Sequence, residues 1–246
     1  MTPKTTFDFG NGSVPAHRHQ NPDGTLGGWV ADSATVATTA WVGEDARVGA
    51  NAWVGEGTRV GANAWVGEGA RVGEGARVGA WAWVGENARV GEDAGVGTGA
   101  RVGEYTRVGA GARVDVRARV GADAWVGANA WVGGNAWVGA NAWVGDWARV
   151  GDWARVGDWA RVNGDDILTG HLGGHYWTIY RTTNGWHIQY GCEVHPLEWW
   201  QKQDLQALSM RHRHSAAHAR FTAFVLAQAE AFTLLTAHPQ SVPSPE

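Results

Sequence analysis

The chain has 246 residues, 44% of them apolar, and a formal net charge of −4. That is enough for one large domain or two small ones, and it is too near charge balance to indicate a nucleic-acid or anionic-membrane partner. A single cysteine, Cys192, excludes an internal disulfide. No run approaches the roughly 18 apolar residues of a membrane span, and the opening MTPKTTFDFGNG lacks an apolar core of signal-peptide length. A cytoplasmic protein with no membrane partner is expected. Thirty-seven glycines and 17 tryptophans beside two methionines and seven prolines point to a repeat.

Residues 1–29 read as an N-terminal cap. They include polar, turn-rich stretches such as His17 to Gly24 and end in Gly27-Gly28-Trp29. From Val30 to Val162 a valine recurs at every sixth position, giving 23 repeats without an insertion. A small residue, usually alanine, stands two places before each valine and glycine usually follows, so the consensus is A-(W/R)-V-G-x-x. Alanine and valine then point to one side of a short strand and the Trp or Arg between them to the other. The remaining pair must turn a corner. Its second member is often Asn, Gly or Asp, residues that tolerate left-handed backbone. Three strands and three corners close a triangular coil of 18 residues, which predicts an all-β solenoid of about 7–8 coils. At about 4.8 Å per coil it would stack to roughly 37 Å.

The pattern V-G-x-x-A-x resembles the hexapeptide signature of the left-handed parallel β-helix known from bacterial acyltransferases. The resemblance covers more than half of the chain. In such enzymes a histidine acts as general base, and the acyl donor lies in a cleft between neighbouring subunits, often shaped by a loop extruded from a coil. Here all ten histidines lie outside residues 30–162 and the spacing leaves no extruded loop. The same absence disfavours the three-histidine zinc site of related carbonic anhydrases. No catalytic, cofactor-binding or metal-binding residue is therefore assigned to the repeat. A non-catalytic structural or binding scaffold is expected. The alternative is an acyltransferase of the hexapeptide-repeat class whose base comes from a flank or a partner subunit.

Residues 18 apart stack in adjacent coils, so the outward side chains sort into three ladders made almost wholly of Trp and Arg. Arginine stacked on tryptophan of the next coil, as in Trp83/Arg101, Arg107/Trp125 and Arg119/Trp137, is expected to hold them. Arg71, Arg89 and Arg107 are consecutive like charges, with corner rows of glutamate, Glu56/Glu74/Glu92 and Glu68/Glu86/Glu104, placed to neutralise them. A belt of Trp125, Trp131, Trp137 and Trp143 crosses all three faces. These four tryptophans and three arginines form the candidate interaction surface. Homo-oligomerisation is its first expected use, because the enzymatic relatives that the resemblance implies are trimers; a sugar or another small ligand is a further possibility. Nucleic acid is disfavoured, since residues 30–162 hold 13 arginines against 15 acids.

After Val162 the period is lost. Residues 163–238 read as an α+β cap. A hairpin of Tyr176–Tyr180 and Trp186–Tyr190 leads to a helix near 196–210 and a second near 216–237 behind a Ser215 cap. Phe221, Phe224, Val225, Phe232 and Leu235 would form the face covering the open end of the solenoid. Cys192 with nearby His187 and His195 fits no standard ligand spacing. Gly27-Gly28-Trp29-Val30 together with Gly191-Cys192 is similar to uncharacterised bacterial proteins, some of them phage-encoded. Residues 239–246 read as a tail.

Overall fold

The computed structural model describes residues 5–10, 12–162, 167–172, 175–182, 185–190, 193–203, 223 and 225–231. The chain divides into two compact units, Met1–Gly164 and Asp165–Glu246.

The first unit is a parallel β-solenoid. Strand β3 (Leu26–Ala31) contains the first repeat, and strands β4 (Thr35–Val36) to β25 (Arg161–Val162) each end on a repeat valine. They stack as three parallel ladders of eight, eight and seven strands, and each repeat valine up to Val144 pairs with the valine 18 residues on. The 18-residue coil and the unbroken register are as the sequence predicts. Inside, the valines and alanines of successive coils are almost wholly buried. Polar intrusions are confined to Thr58 and Thr106 in the alanine slot. Their hydroxyls donate to the carbonyls of Gly73 and Gly121, at 2.8 and 2.6 Å, so neither is left unsatisfied.

The corners hold positive φ where the sequence places Asn, Asp or Gly, for example Asn51 (57°), Asp93 (54°) and Gly57 (63°). The glycine that follows most of the repeat valines has a different cause. At Gly61, which does not have positive φ, a Cβ would lie 2.5 Å from the backbone nitrogen of Ala80 in the next coil. At Gly61 the coils thus touch backbone to backbone, and an added side chain must push them apart there.

The N-terminal cap is more regular than its polar composition suggests. Strands β1 (Thr6–Asp8) and β2 (Ser13–Gln20) continue one ladder as an antiparallel meander onto β3. Residues His17 to Gln20, expected to turn, are strand because their backbone pairs with β3. This meander covers one of three first-coil edges. Elsewhere side chains substitute for the missing coil: Asn21 accepts from Val42 N at 2.9 Å, Ser33 from Asn51 N and Thr39 from Gly57 N. Phe7 stacks on Trp29 with ring centroids 4.8 Å apart.

In the second unit, β26 (Ile167–Leu172), β27 (His175–Thr182), β28 (Gly185–Tyr190) and β29 (Glu193–Pro196) form a four-stranded antiparallel sheet. The expected hairpin is β27–β28, and the outer two strands were not foreseen. The first helix is described over Leu197–Gln201, and residues 225–231 are helical. Val225 is the described member of the expected apolar helical face. It is buried with Trp177, Ile179, Ile188 and Trp200 in this unit's own core, where Trp200 donates from Nε1 to Ile188 O at 3.1 Å. Ser215, Phe221, Phe224, Phe232, Leu235 and Cys192 lie outside the described residues. No described helix is long and apolar enough to cross a membrane.

Candidate functional site

The outer faces differ from the simple Arg-on-Trp ladder. Arg107 does lie over Trp125, 5.5 Å from the ring centroid, and Arg47 over Trp65 and Arg161 over Trp143 do the same. Trp83/Arg101 and Arg119/Trp137 are strand neighbours but form no such stack. Trp83 instead lies parallel to Trp65, centroids 5.0 Å apart, because an aromatic neighbour offers more contact area than a solvated guanidinium. The corner glutamates do not clamp the arginines either. Among the described residues no ion pair joins a solenoid arginine to a carboxylate, whereas His17–Asp32 and His195–Glu193 do pair.

Of the four belt tryptophans, Trp125, Trp137 and Trp143 are 42–44% exposed. Trp131 is half-buried, with its indole N–H directed to Asp115 Oδ2 at 3.4 Å. Trp125 and Trp143 meet edge to face at 6.5 Å. Arg71, Arg89 and Arg107 are exposed and stacked in direct register on the second face.

The third face holds what the sequence reading did not single out. Its ladder runs Trp41, Arg59, Arg77, Gly95, Arg113, Trp131, one residue per coil. Gly95 is the only glycine in an outward slot, so the row of large side chains is broken at its centre. A Cβ built on Gly95 meets nothing within 4 Å, and its backbone does not have positive φ. Neither conformation nor space demands glycine there. The result is an open groove of about 1150 Å³ along this face, with Gly95 in its floor, Arg77 and Arg113 on either side of the gap, and Trp41 and Trp131 toward its ends. Asp115, the only acid in the slot after valine, lines it and fixes Trp131. The signal was present in the sequence as two departures from the repeat pattern, Gly95 and Asp115. Their significance depends on their being side by side in adjacent coils.

The arrangement suits an extended anion. Guanidinium groups present planar, paired donors to phosphate or carboxylate, and indoles offer faces for a ring. No described residue of the groove is a histidine, and no cluster of three potential metal ligands occurs among the described residues. Of the described histidines, His19 contacts Ala40 O at 3.1 Å in the cap, and His187 stacks on Tyr180. His195 contacts Glu193 Oε2 at 2.9 Å and stacks on Trp199 at 3.6 Å.

Residues 45–80 match the family described as bacterial transferase hexapeptide (six repeats), and residues 82–115 match the hexapeptide repeat of succinyl-transferase. These two stretches of the solenoid, residues 45–80 and 82–115, thus match hexapeptide-repeat families. Both descriptions name transferases, which fits the acyl-transfer alternative better than a non-catalytic scaffold. Among solved structures, the chain is similar to GDP-perosamine N-acetyltransferase from Caulobacter crescentus in complex with coenzyme A and GDP-perosamine. The identity is 25% over 55% of this chain and 52% of that one, with a TM-score of 0.38. It is also similar to a hexapeptide transferase family protein from Anaplasma phagocytophilum, with 14% identity, 87% and 92% coverage and a TM-score of 0.42. A third is UDP-N-acetylglucosamine acyltransferase from Campylobacter jejuni, with 14% identity, 86% and 92% coverage and a TM-score of 0.37. The match spans about half the length of the perosamine enzyme. No curated protein matches the chain by sequence.

Proposed function

We propose that the third-face groove binds an acyl donor of the coenzyme A type and that the chain takes part in acyl transfer. The observation that carries this reading is the groove broken open at Gly95 between Arg77 and Arg113. Coenzyme A is long, carries several phosphates at one end and has an adenine ring. Arg59, Arg77 and Arg113 would hold the phosphates through charge-assisted hydrogen bonds, and Trp41 or Trp131 would stack on the ring. The empty slot at Gly95 leaves a passage for the flexible arm. Transfer to an amine or hydroxyl needs a base on the acceptor. With no histidine in residues 30–162, that base comes from a flank or from a neighbouring subunit.

A neighbouring subunit fits the Trp125, Trp131, Trp137 and Trp143 belt. Exposed indoles on flat sheet are suited to association of a second copy of the chain, and homo-oligomerisation accordingly belongs to this reading.

A second reading, a rigid non-catalytic scaffold, is favoured by one observation, the confinement of all ten histidines to the flanks. Calorimetric titration of the full chain with acetyl-coenzyme A separates the two. Acyl-donor binding requires saturable heat that weakens with salt. A flat titration at low salt would rule it out and leave the scaffold.

A further inference from the structure

The second face carries a row of three arginines that the acyl-donor reading does not use. Trp53, Arg71, Arg89, Arg107 and Trp125 stand one above another in continuous register. The three guanidinium groups arise from strands about 4.8 Å apart, and all three residues are exposed. Like charges placed directly opposite destabilise a sheet, and no carboxylate among the described residues pairs with any of them. Only Arg107 has a partner, the face of Trp125. A shallow groove of about 530 Å³ passes over the three arginines, with Asn87 and Tyr105 on its side wall and Asp123 near Trp125. Such a row offers three exposed guanidinium groups to an anionic chain lying along the solenoid axis.

We propose that this ladder binds a linear acidic polysaccharide whose carboxylates meet the row of guanidinium groups. A chain of uronate rings carries one carboxylate on each ring, and a carboxylate is the planar partner that accepts both arms of a guanidinium. Trp53 stands at one end of the arginines and offers an exposed ring to a sugar beyond the charged stretch. The Asn87 amide and the Tyr105 hydroxyl can each donate and accept hydrogen bonds, as sugar hydroxyls require. The flanking corners carry exposed acids, Glu68, Glu86 and Glu104 on one side and Glu56, Glu74 and Glu92 on the other. These rims leave a single narrow positive line. A nucleic acid instead exploits a broad basic surface, and the solenoid's 15 acids against 13 arginines do not provide one. The ladder lies on a different face from Gly95, so this inference stands or falls independently of acyl-donor binding.

The test is calorimetric titration of the full chain with hexagalacturonate, at low salt and at an ionic strength of about 0.15 M. Saturable binding that weakens as salt rises is expected, with no binding of the neutral maltohexaose. Arg89→Gln, an outward-facing change that leaves the buried valines untouched, should weaken binding about tenfold or more. Arg89→Lys should recover part of it, and Arg101→Gln on the first face should have no effect. Absence of saturable binding at low salt, undiminished binding by Arg89→Gln, or tighter binding of a thymidine oligonucleotide of equal charge through Arg89 would each overturn the proposal.

Discussion

Trp81, Trp147, Trp153 and Trp159 occupy corner positions with φ of 60–61°, where most other corners use Asn, Asp or Gly. A bulky side chain in left-handed backbone costs about 1–2 kcal/mol. Three of these four belong to consecutive corners, each preceded by an aspartate. Asp146, Asp152 and Asp158 accept from the backbone N–H groups of Ala128, Gly134 and Ala140 at 2.7–2.8 Å, tying each corner to the coil before it. Trp147 is 72% exposed, so its ring gains little burial to offset the strain. Trp147→Asn should therefore raise stability by about 1 kcal/mol, read as a higher midpoint in thermal or denaturant unfolding. A lower midpoint would mean that the indole makes compensating contacts. At this scale the sequence was only partly legible. Corner residues with left-handed tolerance could be read directly, since backbone sterics depend on one residue at a time. Which arginine stacks on which indole could not. Trp83 has Trp65 on one side and Arg101 on the other, and the choice between them depends on rotamers set by both neighbours.

At the scale of elements, the hexapeptide works because its strand is only two residues long and its glycine lets successive coils touch. Gly61→Ala tests that contact. The added Cβ would lie 2.5 Å from Ala80 N and 2.8 Å from Gly79 C, backbone atoms that cannot swing aside. A loss of about 1–3 kcal/mol is expected from forcing the coils apart, measured by chemical denaturation. No loss would show that the coils yield freely at this slot. The solenoid's pitch, its three faces and its inward Val/Ala pairs were all legible, because a period of six repeated 23 times leaves one arrangement that buries the repeat valines, Val36 alone being only partly covered. Its ends were less so. Polar residues in β2 suggested a turn, yet their backbone pairs with β3, and β26 and β29 lack a strong alternating pattern. Pairing between segments distant in sequence decides such strands more than local composition. The same applies to Val225, whose helical spacing announced an apolar face without indicating which surface it would meet.

At the scale of the molecule, the uniformity of the repeat makes its exceptions informative. The Trp125, Trp131, Trp137 and Trp143 belt is proposed to associate copies of the chain. Sedimentation of the wild-type chain should then show an oligomer that Trp125, Trp131, Trp137 and Trp143→Ser converts toward monomer; a monomer in both would exclude the belt as an interface. The third-face groove is the other exception. Gly95 could be located in the outward ladder from sequence alone, but its meaning emerged only with Arg77, Arg113, Asp115 and Trp131 placed around it. The most direct test of acyl-donor binding fills that gap. Gly95→Trp restores the otherwise continuous row, and its Cβ meets no atom within 4 Å, so the coil should fold unchanged by circular dichroism. Titrated with acetyl-coenzyme A, the wild-type chain is expected to give saturable binding and Gly95→Trp to lose at least about tenfold in affinity, or about 1.4 kcal/mol. Equal affinity in the two folded proteins, or no binding in either, would contradict the assignment of the groove.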